Sequence, residues 1–215
     1  MEHKKTLNEK VGISDAKPVA GIVQDELLHP VFHEQLKTYY RVLSKEKEDF
    51  TSLIFSGLLL NLFFDSYISW VSRYLVTNIN RHNNRKLQRL WEEHYEKEAS
   101  LIKKVQFFIY SFPINPDVSV VKSIEDFTEK LSSLRNKIVH GHEISKITWS
   151  NGAIDKTRLA ELLTFDIITE YYDGLEKCMT SIATLFETID YIDMTQGIPS
   201  KNWIINHLKF DFKRE

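Results

Sequence analysis

An Arg, an Asn and a His fall within six residues of one another, in the stretch Leu134-Arg135-Asn136-Lys137-Ile138-Val139-His140-Gly141. A guanidinium holds phosphate oxygens in a two-pronged grip and keeps its charge at any cellular pH. An imidazole titrates near neutrality and can move protons. An amide orients a neighbour through either of its ends. Together they suit phosphoryl chemistry on a polyanion. The bland alternative is a surface ion pair at Arg135 and a helix-end histidine drawn there by the dipole.

The element that must carry these residues is a helix. Ile124, Phe127, Leu131, Leu134 and Ile138 are spaced three, four, three and four apart, which is one buried stripe. Gly141 stands where a helix C-terminus favours a left-handed residue, so His140 is the expected last helical position. Asn136 and His140 are four apart and point away from the stripe, together with Glu129 and Ser133. Arg135 falls on the boundary beside Leu131 and Ile138.

The run from Arg135 to Gly141 resembles the R-N-x-x-x-H-G form of the HEPN superfamily motif, an Arg and a polar residue followed by a His. The likeness spans roughly residues 22 to 190, mostly as pattern. It implies an all-helical bundle with the motif near the end of a late helix. It also implies two protomers joining their motifs, and metal-independent endoribonuclease activity of the toxin and phage-defence kind. Some relatives that are paired with an antitoxin carry a Tyr two positions after the His, as a modification target. His142 stands there in this chain.

At 215 residues the chain suits one domain with a small appendage. Forty-two per cent hydrophobic residues and thirteen Phe exclude a disordered chain, and seven Gly with five Pro favour long helices. The formal net charge of −2 gives no global basic field, so any RNA contact rests on local patches. The single cysteine, Cys178, excludes an internal disulfide and a cysteine zinc finger. It falls on an apolar helical stripe and is expected to be buried as a small hydrophobe. It fits a reducing, cytoplasmic setting. The N-terminus lacks an apolar signal region.

The expected architecture is all-α, an up-and-down bundle of four to five long helices. Residues 1–20 form a flexible segment, 21–192 the helical domain and 193–215 a C-terminal extension. Helices are expected over about 25–47, 50–77, 86–112, up to His140, and 156–190. Pro30 either sits in the first turn or separates a short leading piece. Leu53 to Phe64 is the greasiest stretch, but Asp65, Ser66 and Ser69 interrupt it before the roughly twenty residues a membrane span needs. It reads as a buried central helix, with no membrane. Asn61 and Asp65 share one face of it and either support Arg135 through hydrogen bonds or form a local polar stripe facing solvent.

Arg81, Arg85, Lys86 and Arg89 follow an Asn-rich turn and form the densest basic patch, an RNA-backbone candidate or a solvated loop. His94 lies in the apolar register of the 86–112 helix and reads as an interior or boundary histidine. His142 and Glu143 can support the site from just beyond the motif. His140 and His142 are two apart and do not face together on a helix, so no metal site and no cofactor are expected. Ile147 to Ile154 alternates around Asn151-Gly152, the signal of a short β-hairpin inserted near 146–155.

Three functions compete. The first is a homodimeric ribonuclease cutting RNA with Arg135, Asn136 and His140. The second is a non-catalytic module binding RNA, a nucleotide or a protein such as an antitoxin or regulator. The third is a structural bundle whose motif is accidental.

Overall fold

The computed structural model describes residues 28–76, 85–96, 99–112, 115–140, 149–150, 153–154 and 163–187. Among them six α-helices pack on one another: α1 (Leu28–Lys45), α2 (Phe50–Tyr74), α3 (Arg85–Leu90), α4 (Leu101–Tyr110), α5 (Val118–His140) and α6 (Phe165–Glu187). A two-residue antiparallel ladder joins β1 (Trp149–Ser150) to β2 (Ala153–Ile154), pairing Trp149 with Ile154 and Ser150 with Ala153. That is the hairpin expected around Asn151-Gly152. The fold is an all-α bundle with this small insertion.

α2 is the central element and touches α1, α4, α5 and α6. Leu60, Phe63, Phe64, Tyr67 and Ile68 are wholly buried along it, each worth about 1.5–3 kcal/mol of burial. The turn at 46–49 reverses α1 into α2, with the Glu46 N–H donating to Val42 O and the Asp49 N–H to Glu46 O. Gly57 of α2 meets Ile138 and Ile168, while Phe64 packs edge-on against Phe127 seven residues later. The order along α5 is therefore reversed, and the order along α6 is not. Of α1, α2, α5 and α6, two run each way, as an up-and-down bundle requires; α1 opposes α2 through His33 on Phe63 and Tyr39 on Phe55.

Pro30 lies within the first turn of α1, where a missing N–H costs nothing. Asp117 caps α5. Its Oδ1 accepts from the Ser119 N–H at 2.7 Å and the Val120 N–H at 3.3 Å, and bonds the Ser119 hydroxyl. These bonds, the hydroxyl first, hold its carboxyl below the ordinary carboxylate range. Thr164 caps α6 by accepting from the Ile167 N–H at 3.3 Å. The last long helix thus starts at Phe165, nine residues later than expected, because Thr164 satisfies its first orphan donor there.

The helix expected over 86–112 is also two elements. α3 runs into a π-helical turn at Trp91–Tyr95, closed by the Glu96 N–H donating to Trp91 O at 2.9 Å. Ser100 is extended and α4 begins after it. Trp91 and Phe107 form a small second cluster with Val76, while Leu101, Val105 and Phe108 belong to the main core. His94 is exposed, with 64 % of its side chain open, so it is not the interior histidine expected from an unbroken helix.

Asp65 binds Lys104 of α4, whose ammonium lies 2.9 Å from Asp65 Oδ1 and 3.2 Å from Ser69 Oγ. Lys104 is buried and Asp65 half-exposed. Asp65→Ala strands a buried cation, and denaturant unfolding is expected to show a loss of about 2 kcal/mol, below the figure for a wholly buried pair. Lys104→Met keeps the stem packing and leaves Asp65 its water, so it is expected to cost less than about 1 kcal/mol.

His33 is buried against Phe63. Burial first, and the Lys37 charge second, push its imidazole down to about 4, against a smaller opposing pull from Glu34. The native state then holds it neutral while the unfolded chain takes up a proton below about 6.5. Stability contributed by the neutral ring is complete above that pH and is lost as pH falls toward 4. Unfolding midpoints are expected to decline already between pH 6.5 and 5, above most carboxylate titration, and His33→Gln is expected to flatten that decline.

Candidate functional site

α5 carries the chain to His140, the last of the described residues there, with Ile124, Leu131 and Leu134 buried along its inner face; Gly141 lies outside the described residues. Asn136 and His140 are exposed on the other side and Arg135 is half-buried between them. Arg135 Nη1 donates to Asn136 Oδ1 at 3.0 Å and lies 3.4 Å from His140 Nε2. A guanidinium only donates, so the second contact is a hydrogen bond when Nε2 carries its lone pair. In that tautomer Nε2 is a proton acceptor beside a fixed positive charge. Among the described residues Asn136 and His140 are the side chains hydrogen-bonded to this guanidinium, and its other N–H groups suit an anion.

The depth of α5 is set by α2. Gly57 lets the two helices approach so closely that an added Cβ would stand 2.6 Å from Ile138 Cδ1 and 3.6 Å from Leu134 Cδ2. Ile138 lies between Arg135 and His140 in sequence, so this contact fixes the turn that carries both. The Gly57 contact escaped the sequence reading. A glycine inside an otherwise apolar helix was its available signal.

Large apolar side chains stand exposed on both α5 and α2, those of α2 turned away from the Gly57 face that meets α5. Val139 is 49 % exposed on α5, and Phe55 and Leu62 are 43 % and 46 % exposed on α2. α2 is long and apolar enough to cross a membrane by length and composition, and 44 % of its most apolar eighteen-residue window is buried in the bundle. It is central, as expected, yet one side of its first half lies open.

Neither Asn61 nor Asp65 supports Arg135. The Asp65 carboxylate turns to Lys104 instead, because α4 packs on that side of α2 with an ammonium in its apolar stripe. Lys104 was not singled out from sequence, although its place between Leu101 and Val105 marks an inward face. His142 and Glu143 lie outside the described residues, as does Arg81. Arg85 opens α3 and Lys86 is exposed beside it. Arg89 is held by Glu93, one turn on, at 2.6 Å. The hydrogen bond from Arg89 draws the Glu93 carboxyl below its ordinary range and raises Arg89 in turn. The basic patch is therefore partly neutralised by its own helix. Cys178 is buried, and burial pushes its thiol far up, as expected of a small hydrophobe. Among the described residues no three His, Cys, Asp or Glu side chains gather as a metal site would require. No protein-family model, curated protein or solved structure matches the chain.

Proposed function

We propose that the protein is a homodimeric, metal-independent endoribonuclease of the HEPN type, acting in the cytoplasm in toxin–antitoxin or phage defence. The observation that carries the reading is the Arg135 guanidinium placed between Asn136 Oδ1 and His140 Nε2 at the exposed end of α5. It joins a phosphate-holding group to a proton-moving group, and it does so on residues that match the family's motif.

In this mechanism the ribose 2′-oxygen attacks the adjacent phosphorus. The O2′–P bond forms, the P–O5′ bond breaks, and the products are a 2′,3′-cyclic phosphate and a 5′-hydroxyl. DNA lacks the attacking hydroxyl and is not cut. His140 accepts the 2′-hydroxyl proton, and His140 of a second copy protonates the departing O5′. Arg135 holds the phosphate and meets charge that grows in the transition state. Asn136 fixes the guanidinium plane. One motif supplies one histidine while acid and base roles are two, so the site is complete only across a two-fold axis. Val139, 49 % exposed and next to His140 in α5, supplies apolar surface for that contact. An antitoxin or regulatory protein is the expected further partner.

A mixed RNA pool incubated with the purified protein in EDTA tests the reading. Cleavage by the wild type and none by Arg135→Ala, both folded, is the expected result. No cleavage by the wild type contradicts the enzymatic reading and favours a module that binds RNA, nucleotide or protein through the same residues. The partly neutralised basic patch is the observation on that side.

A further inference from the structure

The π-helical turn and α4 line an open cleft of about 560 Å³ that the motif chemistry does not use. Its size falls in the range of roughly 300–1,000 Å³ typical of small-ligand sites. From α4 it receives Lys103, Gln106, Phe107 and Tyr110, spaced three, one and three apart on the side opposite the core stripe of Leu101, Val105 and Phe108. From the π turn it receives His94 and Tyr95. Tyr95 lies against Phe107 with ring centroids 4.5 Å apart, and that pair forms an aromatic floor. Tyr110 is 76 % exposed, an aromatic ring standing at the rim. A helix that spends its solvent face on a tyrosine, a lysine and a glutamine around an aromatic floor offers stacking, a cation and a two-ended amide in one place.

Those are the requirements of one nucleotide of a single strand. A base stacks on an aromatic face, its edge bonds an amide, and its phosphate meets a cation. Of the acidic residues at this turn, Glu92 accepts from the Gln88 amide at 3.0 Å, and the other two are paired with arginines. Glu93 holds Arg89, and Glu96 pairs with Arg73 of α2. Lys86 is exposed on α3, which leads into the π turn. The Arg73–Glu96 pair ties this turn to the end of α2 remote from Gly57. Sixteen residues of helix separate the two levels, about 24 Å along the axis, so the cleft stands well away from the Arg135 cluster.

We propose that the cleft between the π turn and α4 is a base-stacking subsite for single-stranded RNA, engaging the substrate several nucleotides from the cut; this rests on the ribonuclease reading above. The ring of Tyr110 stacks the base and Lys103 takes the phosphate.

The test is fluorescence anisotropy of a labelled, fully 2′-O-methylated single-stranded oligonucleotide, which binds but cannot be cleaved, with the full chain. Tyr110→Ala is expected to weaken binding about tenfold, the effect of losing one base stack. Tyr110→Phe keeps the ring and is expected to bind within about twofold of the wild type. Lys103→Ala is expected to weaken binding and to reduce the salt slope by about 0.7. Equal binding by wild type and Tyr110→Ala overturns the subsite, as does a wild type that does not bind. Cleavage in EDTA is measured in parallel on a trinucleotide too short to span both places. Its persistence beside unchanged Tyr110→Ala binding condemns the subsite alone. Its absence beside weakened Tyr110→Ala binding condemns the catalytic reading alone.

Discussion

Replacing His140 by Ala is expected to slow RNA cleavage about a thousandfold, within the range that general acid–base groups supply. The unfolding free energy is expected to stay within about 0.5 kcal/mol of the wild type, because His140 is exposed. The two results together separate a proton-moving role from a structural one. Arg135→Lys is expected to be nearly as damaging as Arg135→Ala. A lysine keeps the charge but cannot span Asn136 and a phosphate with a planar fork. Asn136→Ala is expected to cost less, because its contact with Arg135 Nη1 orients the guanidinium and does not reach the reacting atoms. Rates measured under single-turnover conditions on one labelled RNA, with circular dichroism of each variant, check the series. A His140→Ala enzyme that cuts at the wild-type rate removes His140 from the mechanism.

The second large effect is expected at Gly57, a residue with no chemistry of its own. Gly57→Val places a branched side chain where a single Cβ already lies 2.6 Å from Ile138 Cδ1. Overpacking of this kind costs about 2–3 kcal/mol. It also lifts the last turn of α5, and a shift of about 1 Å at Arg135 and His140 is enough to cost up to a hundredfold in rate. Gly57→Ala behaves differently. The atom it meets is the free end of Ile138, which can rotate away, and alanine gains roughly 1 kcal/mol of helix propensity over glycine. Its stability is expected to stay within about 1 kcal/mol of the wild type. Shortening the opposing side chain separates packing from other causes. Ile138→Val in the Gly57→Val background is expected to recover a good part of both stability and cleavage. No recovery means that Gly57 acts through something other than this contact.

The parts of the fold that follow from one helix at a time were legible in the sequence. The stripe from Ile124 to Ile138 and the outward pair Asn136 and His140 follow from spacing within one helix. So do the burial of Cys178 and the hairpin around Asn151-Gly152. The misreadings arose where a local signal was overruled from outside its own segment. The apolar register through Leu87, His94 and Leu101 is continuous as a string. The chain nevertheless breaks at Ser100, and the π turn sends Trp91 and Phe107 to a cluster of their own. Asp65 shares a face with Asn61, but which neighbour it meets depends on where α4 packs, and that placed Lys104 beside it. Arg89 reads as a free cation in a basic run until the helix brings Glu93 under it. Gly57 shows the converse: its meaning lies wholly in the helix across from it.

The most direct test of the central claim is the chemistry of the ends left on the RNA. The wild type is incubated in EDTA with an oligoribonucleotide whose cut site has been mapped, beside the same oligonucleotide carrying one 2′-deoxyribose on the 5′ side of the cut. The expected result is a 2′,3′-cyclic phosphate and a 5′-hydroxyl from the first, and no cut at that position in the second. A 5′-phosphate end, or undiminished cleavage at the deoxy position, contradicts attack by the 2′-hydroxyl and with it the roles assigned to Arg135 and His140.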